Sequence, residues 1–490
     1  MSAKAQRYLL GCPRLLVAYD VDTEGDKGAE RPGQLSPRMH RMQPRVGEDM
    51  TALWQTGGGC GTGCSSNWRG LGAVPPGRAR SPTLRARIRT PAVLQPLRNH
   101  TFGLLWAGQT ISLIGDFVYV VALPFQVLAL GGNAVQLGAV AACSSVTQLL
   151  LLLVGGALVD RLPRQRVILV SDLTSGIILG LVAALGVAGA LRIEYLYGAA
   201  ALRGAALAFF TPAMGAIVPE LVPSELLAAG NALRGLTRQA ALVLGPALGG
   251  VLAASVGPAP AIAVDALSFF VSFGLLCAAP RTGVSRRNSA QPATAVRVLD
   301  DIHSGLAFTL SLPWLWVTIF GFALINLADN GAIVVALPLL VHDARVYGGL
   351  AAALGAGEGL ASVVIAQVRP RRIGLLMYVG QAVAGLGLIG VALGGERLAV
   401  GLGGAVVLGA GLGTFGVLWL TALQREVPGH LLARVTSVDY FGALLLGPVG
   451  PFVIGAAVQA FGPAPVIAGA GVATAALCLA ALLVPSIRGL

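Results

Sequence analysis

The chain has 490 residues, of which 55% are apolar and 11% charged, and its mean hydropathy is +0.76. Soluble globular domains carry about 25% charged residues, so this chain cannot cover a folded core with a water-facing surface. A lipid bilayer is the predicted solvent for most of it. The net charge of +12 would suggest nucleic acid in a soluble protein, but the charges fall in short loops between apolar segments, so no nucleic-acid partner is expected.

The first 96 residues differ from the rest of the chain. They contain 14 of the 34 basic residues, many glycines and prolines, and no long apolar run. This composition is typical of a disordered or poorly ordered tail, and a misassigned start codon is a second interpretation. Cys60 and Cys64 form a C-x3-C pair, but zinc needs four ligands and no second pair lies nearby, so no metal or cofactor is expected.

From Thr101 onward, apolar segments of about 20 residues recur, each long enough to cross a hydrocarbon core of ~30 Å as a helix. They indicate an all-α membrane protein with twelve transmembrane helices. The predicted spans are 102–130, 135–159, 167–190, 195–218, 233–256, 260–280, 313–341, 347–368, 373–394, 398–422, 436–460 and 464–485.

The basic residues of the loops predict the orientation. With the tail in the cytoplasm and the spans alternating, sixteen arginines fall in cytoplasmic loops and ends, whereas only Arg192, Arg345 and Arg397 fall on the opposite side. The sixteen are Arg98, Arg161, Arg164, Arg166, Arg234, Arg238, Arg281, Arg286, Arg287, Arg297, Arg369, Arg371, Arg372, Arg425, Arg434 and Arg488. This bias predicts a multi-pass inner-membrane protein with both termini in the cytoplasm.

Short sequences recur between the two halves of the chain. Val-Val-Ala-Leu-Pro at 120–124 returns at 334–338, and Gly-Pro-Ala-Pro at 257–260 returns at 462–465. Parallel repeats of six helices place a central cavity between two pseudo-symmetric halves.

The repeats and the loop lengths predict the domain boundaries. Two six-helix bundles are expected at 97–280 and 313–490, joined by a polar, basic cytoplasmic linker at 281–312. Nothing in the pattern calls for a second copy, so a monomer is expected.

The segment after the second span reads GALVDRLPRQR at 156–166. Gly156, Asp160, Arg161, Arg164 and Arg166 make it resemble the loop signature of the major facilitator superfamily, in which Pro and Gln here replace a glycine and a basic residue. The resemblance implies a cytoplasmic gate loop, because an acid among arginines can form charge-assisted contacts with a neighbouring helix. An ordinary positive-inside loop is the alternative.

The fifth span contains Gly245, Pro246, Gly249 and Gly250. They resemble the end of the antiporter signature of the same superfamily, although its two upstream glycines are absent. A Gly-Pro pair inside a helix removes a backbone hydrogen bond and favours a kink. The resemblance therefore implies export rather than uptake.

Within the superfamily, three stretches resemble drug and siderophore exporters of the macrolide-efflux and enterobactin-exporter type. They lie at 98–116, 211–223 and 265–269. The resemblance implies a secondary active transporter with protons as the coupling ion and a small amphipathic molecule as the cargo. A siderophore cargo, or a channel or sensor that does not transport, stays open as an alternative.

Ionisable groups inside predicted spans are functional candidates, because burying them at membrane depth costs several kcal/mol. The five residues that stand out are Asp116, Arg203, Asp265, Asp329 and Glu358. Asn326 lies one turn before Asp329. A carboxyl group at this depth is costly to ionise and can exchange a proton near neutral pH.

We expect Asp116, together with Asp329 or Glu358, to carry the proton that drives export, and Arg203 to be their switchable partner. Asp265 is expected to be a structural buried charge. The alternative for each residue is a static ion pair that holds helices together.

Other classes of function lack their signatures. A Walker loop requires a lysine, and the chain contains none after Lys27. The H-E-x-x-H and G-x-S-x-G patterns of metalloproteases and hydrolases are also missing, so no enzymatic activity is expected.

Overall fold

The computed structural model describes residues 15–18, 39–42, 92–159, 162–280, 295–368, 370–394 and 397–490. The chain forms two compact units, Met1–Ile88 and Arg89–Leu490. In the first unit, strands β1 (Leu15–Ala18) and β2 (Met39–Met42) pair in parallel. Most of the predicted tail, including Cys60 and Cys64, lies outside the described residues, so its degree of order stays a prediction.

The second unit is helical throughout its described part. A 3₁₀ helix, Ala92–Arg98, precedes the α-helices. These are α1 (His100–Ala129), α2 (Ala134–Val159), α3 (Arg164–Val187), α4 (Ile193–Leu221), α5 (Leu227–Ser255), α6 (Pro258–Ala278), α7 (Ala295–Ser311), α8 (Pro313–Gly331), α9 (Leu337–Val341), α10 (Ala344–Gln367), α11 (Ile373–Leu393), α12 (Leu398–Glu426), α13 (Gly429–Leu445), α14 (Val449–Phe461), α15 (Pro463–Ala481) and α16 (Pro485–Arg488). A π-helical turn, Ala332–Ala336, joins α8 to α9.

Capping side chains and glycines in the left-handed region mark the starts of several helices. The Asn99 side chain accepts a hydrogen bond from the Phe102 backbone N–H at 3.1 Å and donates to the Leu221 carbonyl at 2.8 Å, so it caps α1 and ties it to α4. Gly257 and Gly462 precede α6 and α15 with φ of 98° and 84°, a region that favours glycine. The recurring Gly-Pro-Ala-Pro sequence thus builds the same turn twice.

Eleven helices of the described residues are long and apolar enough to cross a membrane, and they match eleven of the twelve predicted spans. The predicted span 436–460 is wrong as a single helix, because α13 ends at Leu445 and α14 begins at Val449. Pro448 lies in this break, and proline disrupts a helix because it lacks an N–H and clashes with the preceding turn.

Leu-Gly-Pro, which stands at 446–448 in this break, also occurs at 244–246 but does not interrupt α5. That helix runs through Pro246 without a break, between neighbours on two sides. A Cβ on Gly245 would lie 3.0 Å from the Ile114 carbonyl of α1, and the Pro246 carbonyl abuts Gly348 of α10. Close tertiary contacts therefore support a continuous helix here.

The helices pack in matching pairs along the two halves of the chain. In the first half α1 contacts α5 and α6, α2 contacts α4, and α3 contacts α4 and α6. In the second half α8 contacts α14 and α15, and α11 contacts α12 and α15.

Most contacts between the first and second halves of the chain are made by two helix pairs, α5 with α10 and α2 with α14. A Cβ on Gly348 would lie 2.8 Å from Gly250 Cα, and one on Gly138 would lie 2.9 Å from the Pro451 carbonyl carbon. The Phe125 and Tyr347 rings meet edge to face with centroids 5.9 Å apart. These contacts lie where α1 ends and α10 begins, which we call the Tyr347 end. The opposite end, where α1 begins, is the Asn99 end.

Candidate functional site

A buried cluster of charges joins α1, α4 and α6. Arg203 donates one hydrogen bond to Asp116 Oδ1, and its second guanidinium nitrogen lies 3.3 Å from Asp265 Oδ2. Asp265 is 0% exposed and Arg203 is 8% exposed. The Ser268 hydroxyl lies 3.2 Å from Asp265 Oδ1 and supports it one turn further along α6. Three charges thus share one site in the interior of the helices.

Aromatic rings enclose the cation. The Arg203 guanidinium carbon lies 4.4 Å from the Tyr119 ring centroid and 5.5 Å from that of Phe269, distances at which a cation is attracted to the ring face. A Cβ on Gly115 would lie 2.6 Å from Asp265 Oδ1. Only glycine at this position lets α1 come close enough to α6 for the cluster to form.

The cluster has two carboxylates and one guanidinium. The Asp116 side chain is 30% exposed, whereas that of Asp265 is fully buried. A proton or a ligand therefore reaches Asp116 more readily, and neutralising Asp116 would leave Arg203 with Asp265. Asp265, expected to be a structural charge, shares the site with Arg203. The described ion pairs of Arg203 involve neither Asp329 nor Glu358.

A second polar network, one that the sequence did not single out, lies between α1, α3 and α6. Asp172 is 1% exposed. Its Oδ2 accepts a hydrogen bond from the Ser272 hydroxyl at 2.7 Å and from Gln109 Nε2 at 3.3 Å, while Gln109 also donates to Ser272 at 3.0 Å. Asp172 Oδ1 is buried without a hydrogen-bond partner.

Asp329 lies in the second half, where α8 meets α15. It is 4% exposed, and its Oδ1 accepts a hydrogen bond from the Thr474 hydroxyl at 2.7 Å. Its Oδ2 is buried without a partner. Asn326, one turn earlier on α8, is half-buried. Asp329 thus combines deep burial with a single neutral hydrogen-bond donor.

Glu358 lies on α10 and is half-buried. Its backbone packs against α12, because a Cβ on Gly409 would lie 2.9 Å from the Glu358 nitrogen. On the facing side of α10, Gln239 of α5 donates to the Gly355 carbonyl at 2.6 Å. Glu358 therefore lies on α10, which packs against α5 of the first half, and not in the Arg203 cluster.

The predicted gate loop is described only in part. Gly156 lies in the last turn of α2, whereas Asp160 and Arg161 lie outside the described residues. Arg164 begins α3 and forms an ion pair with Glu220 near the end of α4, and Arg166 is exposed. Glu220, which was not among the predicted gate residues, is thus the described acid that forms an ion pair with Arg164.

The glycines of the antiporter-like segment face two helices. Gly245 and Gly249 lie against α1, where a Cβ on Gly249 would be 2.9 Å from the Val118 carbonyl. Gly250 lies against α10, where a Cβ would be 2.5 Å from the Ala344 carbonyl. The segment therefore holds α5 tightly between the helix that carries Asp116 and the helix that carries Glu358.

Two acids inside predicted spans, the buried Asp172 and the half-buried Asp439, were missed although the sequence contained their signal. Asp172 falls inside the predicted span 167–190, and Asp439 falls inside 436–460. Asp439 Oδ2 accepts a hydrogen bond from Trp419 Nε1 at 3.1 Å. The criterion of an ionisable group at membrane depth applies to both.

A family model described as Major Facilitator Superfamily matches residues 105–451. The chain belongs to the major facilitator superfamily. It is 29% identical over 398 residues to the enterobactin exporter EntS of Salmonella typhimurium, covering 75% of this chain and 91% of that one. It is 26% identical over 386 residues to the multidrug efflux pump Tap of Mycobacterium tuberculosis, covering 74% and 88%.

A solved structure has the same fold. The crystal structure of the nucleoside transporter NupG superposes with a TM-score of 0.65 at 13% identity, over 78% of this chain and 98% of NupG. This likeness concerns the fold alone. Membership of the superfamily makes the chain a multi-pass membrane transporter of small molecules.

Proposed function

We propose that the chain crosses the inner membrane twelve times, as two six-helix halves at 97–280 and 313–490 joined by the linker 281–312. The broken pair α13 and α14 counts as the eleventh span in this arrangement. Both termini and the Asn99 end lie in the cytoplasm, which the positive-inside bias supports. We further propose that the protein works as a monomer, since transporters of this fold place their pathway between two halves of one chain.

The function we propose is proton-coupled export of a small amphipathic molecule by alternating access. The single observation that supports it best is Arg203 held between Asp116 and Asp265. A cation shared by two carboxylates of unequal exposure is a bistable element that one proton can bias. The likeness to EntS and Tap, both named as exporters, supports the direction.

The proposed cycle uses the contacts between the halves. In the state described here, α5 and α10 meet toward the Tyr347 end, so molecules enter from the Asn99 end. Opening of the Tyr347 end releases the cargo and lets a proton reach Asp116. Protonation of Asp116 weakens its ion pair with Arg203, and Arg203 then stays with Asp265. Release of the proton to the cytoplasm restores the ion pair between Asp116 and Arg203. Asp329 and Glu358 are second proton sites in this scheme.

Siderophore export by the same fold is a second candidate, favoured by the likeness to EntS over 91% of that protein. It uses the same cycle and differs only in cargo. A channel or a sensor would instead show unsaturable flux or none, and the transport experiment below separates these classes.

The test uses the purified full-length chain in proteoliposomes with an imposed pH gradient. Three fluorescent or labelled probes are supplied: ethidium, erythromycin and anilinonaphthalene sulfonate. We expect saturable, gradient-driven movement of at least one probe, and loss of the gradient dependence in Asp116→Asn. Full gradient-driven transport by Asp116→Asn would eliminate Asp116 as the proton carrier, and unsaturable flux would eliminate the transporter mechanism.

A further inference from the structure

A cavity of about 60 Å³ lies between α1, α4 and α5. Its wall includes Phe102, Trp106, Gln109, Arg234 and Thr237, and no carboxylate side chain lines it. By volume it holds a few water molecules, or an acidic group with the first atoms of its carbon skeleton. It is therefore a subsite rather than a container for a whole drug-sized molecule.

Arg234 is the charged residue of this wall. It is half-buried, and within the described residues it forms no ion pair or hydrogen bond through its side chain. Two other arginines differ from it, since the buried Arg203 has two carboxylates and the half-buried Arg164 has Glu220. A guanidinium in a cavity without a counter-charge is ready to receive an anion from outside the chain.

The other polar side chains of the wall already have hydrogen-bond partners within the protein. Trp106 Nε1 donates to the Thr237 hydroxyl oxygen at 2.9 Å, and the Thr110 hydroxyl donates to the Trp106 carbonyl at 2.7 Å. Gln109 donates to Asp172 and Ser272. These bonds hold the Trp106 ring at the edge of the cavity, and Phe102 and Leu105 complete an apolar side. The wall thus pairs one free cation with an aromatic surface.

We propose that this cavity is the subsite for the acidic group of an amphipathic anion, which is the cargo of the transporter. The guanidinium of Arg234 binds a carboxylate or sulfonate through two parallel hydrogen bonds, and the apolar body of the molecule lies against Trp106. This inference rests on the proposed export and names its substrate class. Arg203 does not serve this purpose, because Asp116 and Asp265 already occupy it.

The position of the subsite fits the entry of cargo. Arg234 is the eighth residue of α5, which begins at Leu227 at the Asn99 end. The contacts of α5 with α10 are found further along, from Gln239 to Gly250. An anion arriving from the Asn99 end therefore meets Arg234 before it reaches the closed Tyr347 end.

The test measures binding to the purified full-length chain by its thermal unfolding temperature, because a ligand that binds only the folded state raises that temperature. Three probes share one aromatic body: benzenesulfonate is an anion, benzyltrimethylammonium is a cation, and benzyl alcohol is neutral. We expect benzenesulfonate to raise the unfolding temperature with saturation, and the other two to leave it unchanged. An equal or larger response to the cation would overturn the proposal.

Two variants and one control assign the response to Arg234. Arg234→Gln should weaken benzenesulfonate binding at least tenfold, and Arg234→Lys should weaken it less, since it keeps the charge but loses the paired hydrogen bonds. Arg238→Gln is the matched control, because Arg238 is exposed one turn further along α5, outside the cavity wall. Undiminished binding by Arg234→Gln, or equal loss in Arg238→Gln, refutes the subsite.

An anionic lipid headgroup has the same chemistry as an acidic cargo. Binding is therefore compared in nanodiscs of phosphatidylcholine and in nanodiscs that also contain phosphatidylglycerol. Unchanged benzenesulfonate binding in both supports a cargo subsite, whereas its abolition by phosphatidylglycerol assigns the cavity to lipid and overturns the cargo proposal.

The outcomes distinguish this inference from the proposed function. Arg234-dependent binding without any gradient-driven transport would refute the export mechanism and leave the anion subsite intact. Gradient-driven transport of ethidium that Arg234→Gln leaves unchanged, with no benzenesulfonate binding, would refute the subsite and leave export intact.

Discussion

The guanidinium of Arg203 on α4 lies 3.3 Å from the carboxylate of Asp265 on α6, 62 positions later in the chain. Asp265 has no exposure at all, so Arg203 and the Ser268 hydroxyl provide its described polar contacts. Arg203 and Asp265 form the buried part of the charge cluster, and the other carboxylate of the cluster, Asp116, is partly exposed.

Removal of Arg203 should cost more stability than removal of Asp116. Arg203→Gln leaves Asp265 buried without a counter-charge, and breaking a buried pair in this way costs about 3–5 kcal/mol. Asp116→Asn keeps the Arg203–Asp265 pair and should cost less than half as much. Equilibrium unfolding of the purified chain in mixed micelles measures both, with Arg166→Gln as an exposed control. Equal losses for the two variants would contradict the unequal roles of the carboxylates.

Asp172 should tolerate an amide but not an apolar side chain. Asp172→Asn keeps an oxygen that accepts from Ser272 and Gln109, so its unfolding free energy should stay near that of the parent chain. Asp172→Leu removes the acceptor of the Ser272 hydroxyl and leaves Gln109 with Ser272 as its partner, and an unsatisfied buried polar group costs about 1–3 kcal/mol. The same micelle unfolding measurement compares the two. If Asp172→Asn also loses the pH-gradient dependence of transport, Asp172 joins the proton pathway.

Gly348 should control closure of the Tyr347 end. A methyl group there would meet the Pro246 carbonyl and lie 2.8 Å from Gly250 Cα, both of which are backbone, so Gly348→Ala should favour the state open at this end. Gly349→Ala is the matched control, because a Cβ on Gly349 has no atom within 4 Å. Labelling of Phe125→Cys by a membrane-impermeant maleimide, in a background without other cysteines, reports the opening. Faster labelling in Gly348→Ala alone is the expected result.

Thr474 should stabilise the second half through one hydrogen bond to Asp329. Thr474→Val removes the donor to Asp329 Oδ1 and leaves that carboxyl group without any partner, at a cost of about 1–3 kcal/mol. Thr474→Ser keeps the hydroxyl and should recover most of the loss. Asp329→Leu, which removes the acceptor, combined with Thr474→Val should cost less than the sum of the two single changes, as a double-mutant cycle shows for residues in contact. Strict additivity would mean that the bond contributes nothing.

The ionisable residues within the spans can be recognised from the sequence, but their partners cannot. Asp116, Arg203 and Asp329 stand out from the sequence because each interrupts an apolar segment. The structure buries Arg203 and Asp329 and leaves Asp116 partly exposed. The partners of these groups do not follow from the same signal. Asp265 meets Arg203, and Thr474 meets Asp329, because of how the helices are rotated and how closely glycines such as Gly115 let them approach.

The sequence by itself determined the membrane class, eleven of the spans and the family. The membrane class and the spans depend on the properties of single segments, because bilayer thickness sets the length of an apolar helix. The family depends on short motifs within the sequence. Only the tertiary structure decided which charges pair, and that Arg234 faces a cavity whose described lining holds no carboxylate. The Leu-Gly-Pro sequence shows the reason. It lies inside a continuous helix at Pro246 and in a break between two helices at Pro448. The three residues alone therefore do not determine whether a helix continues, because the packing around each copy comes from helices distant in the chain, α1 and α10 at the first and α2 and α8 at the second.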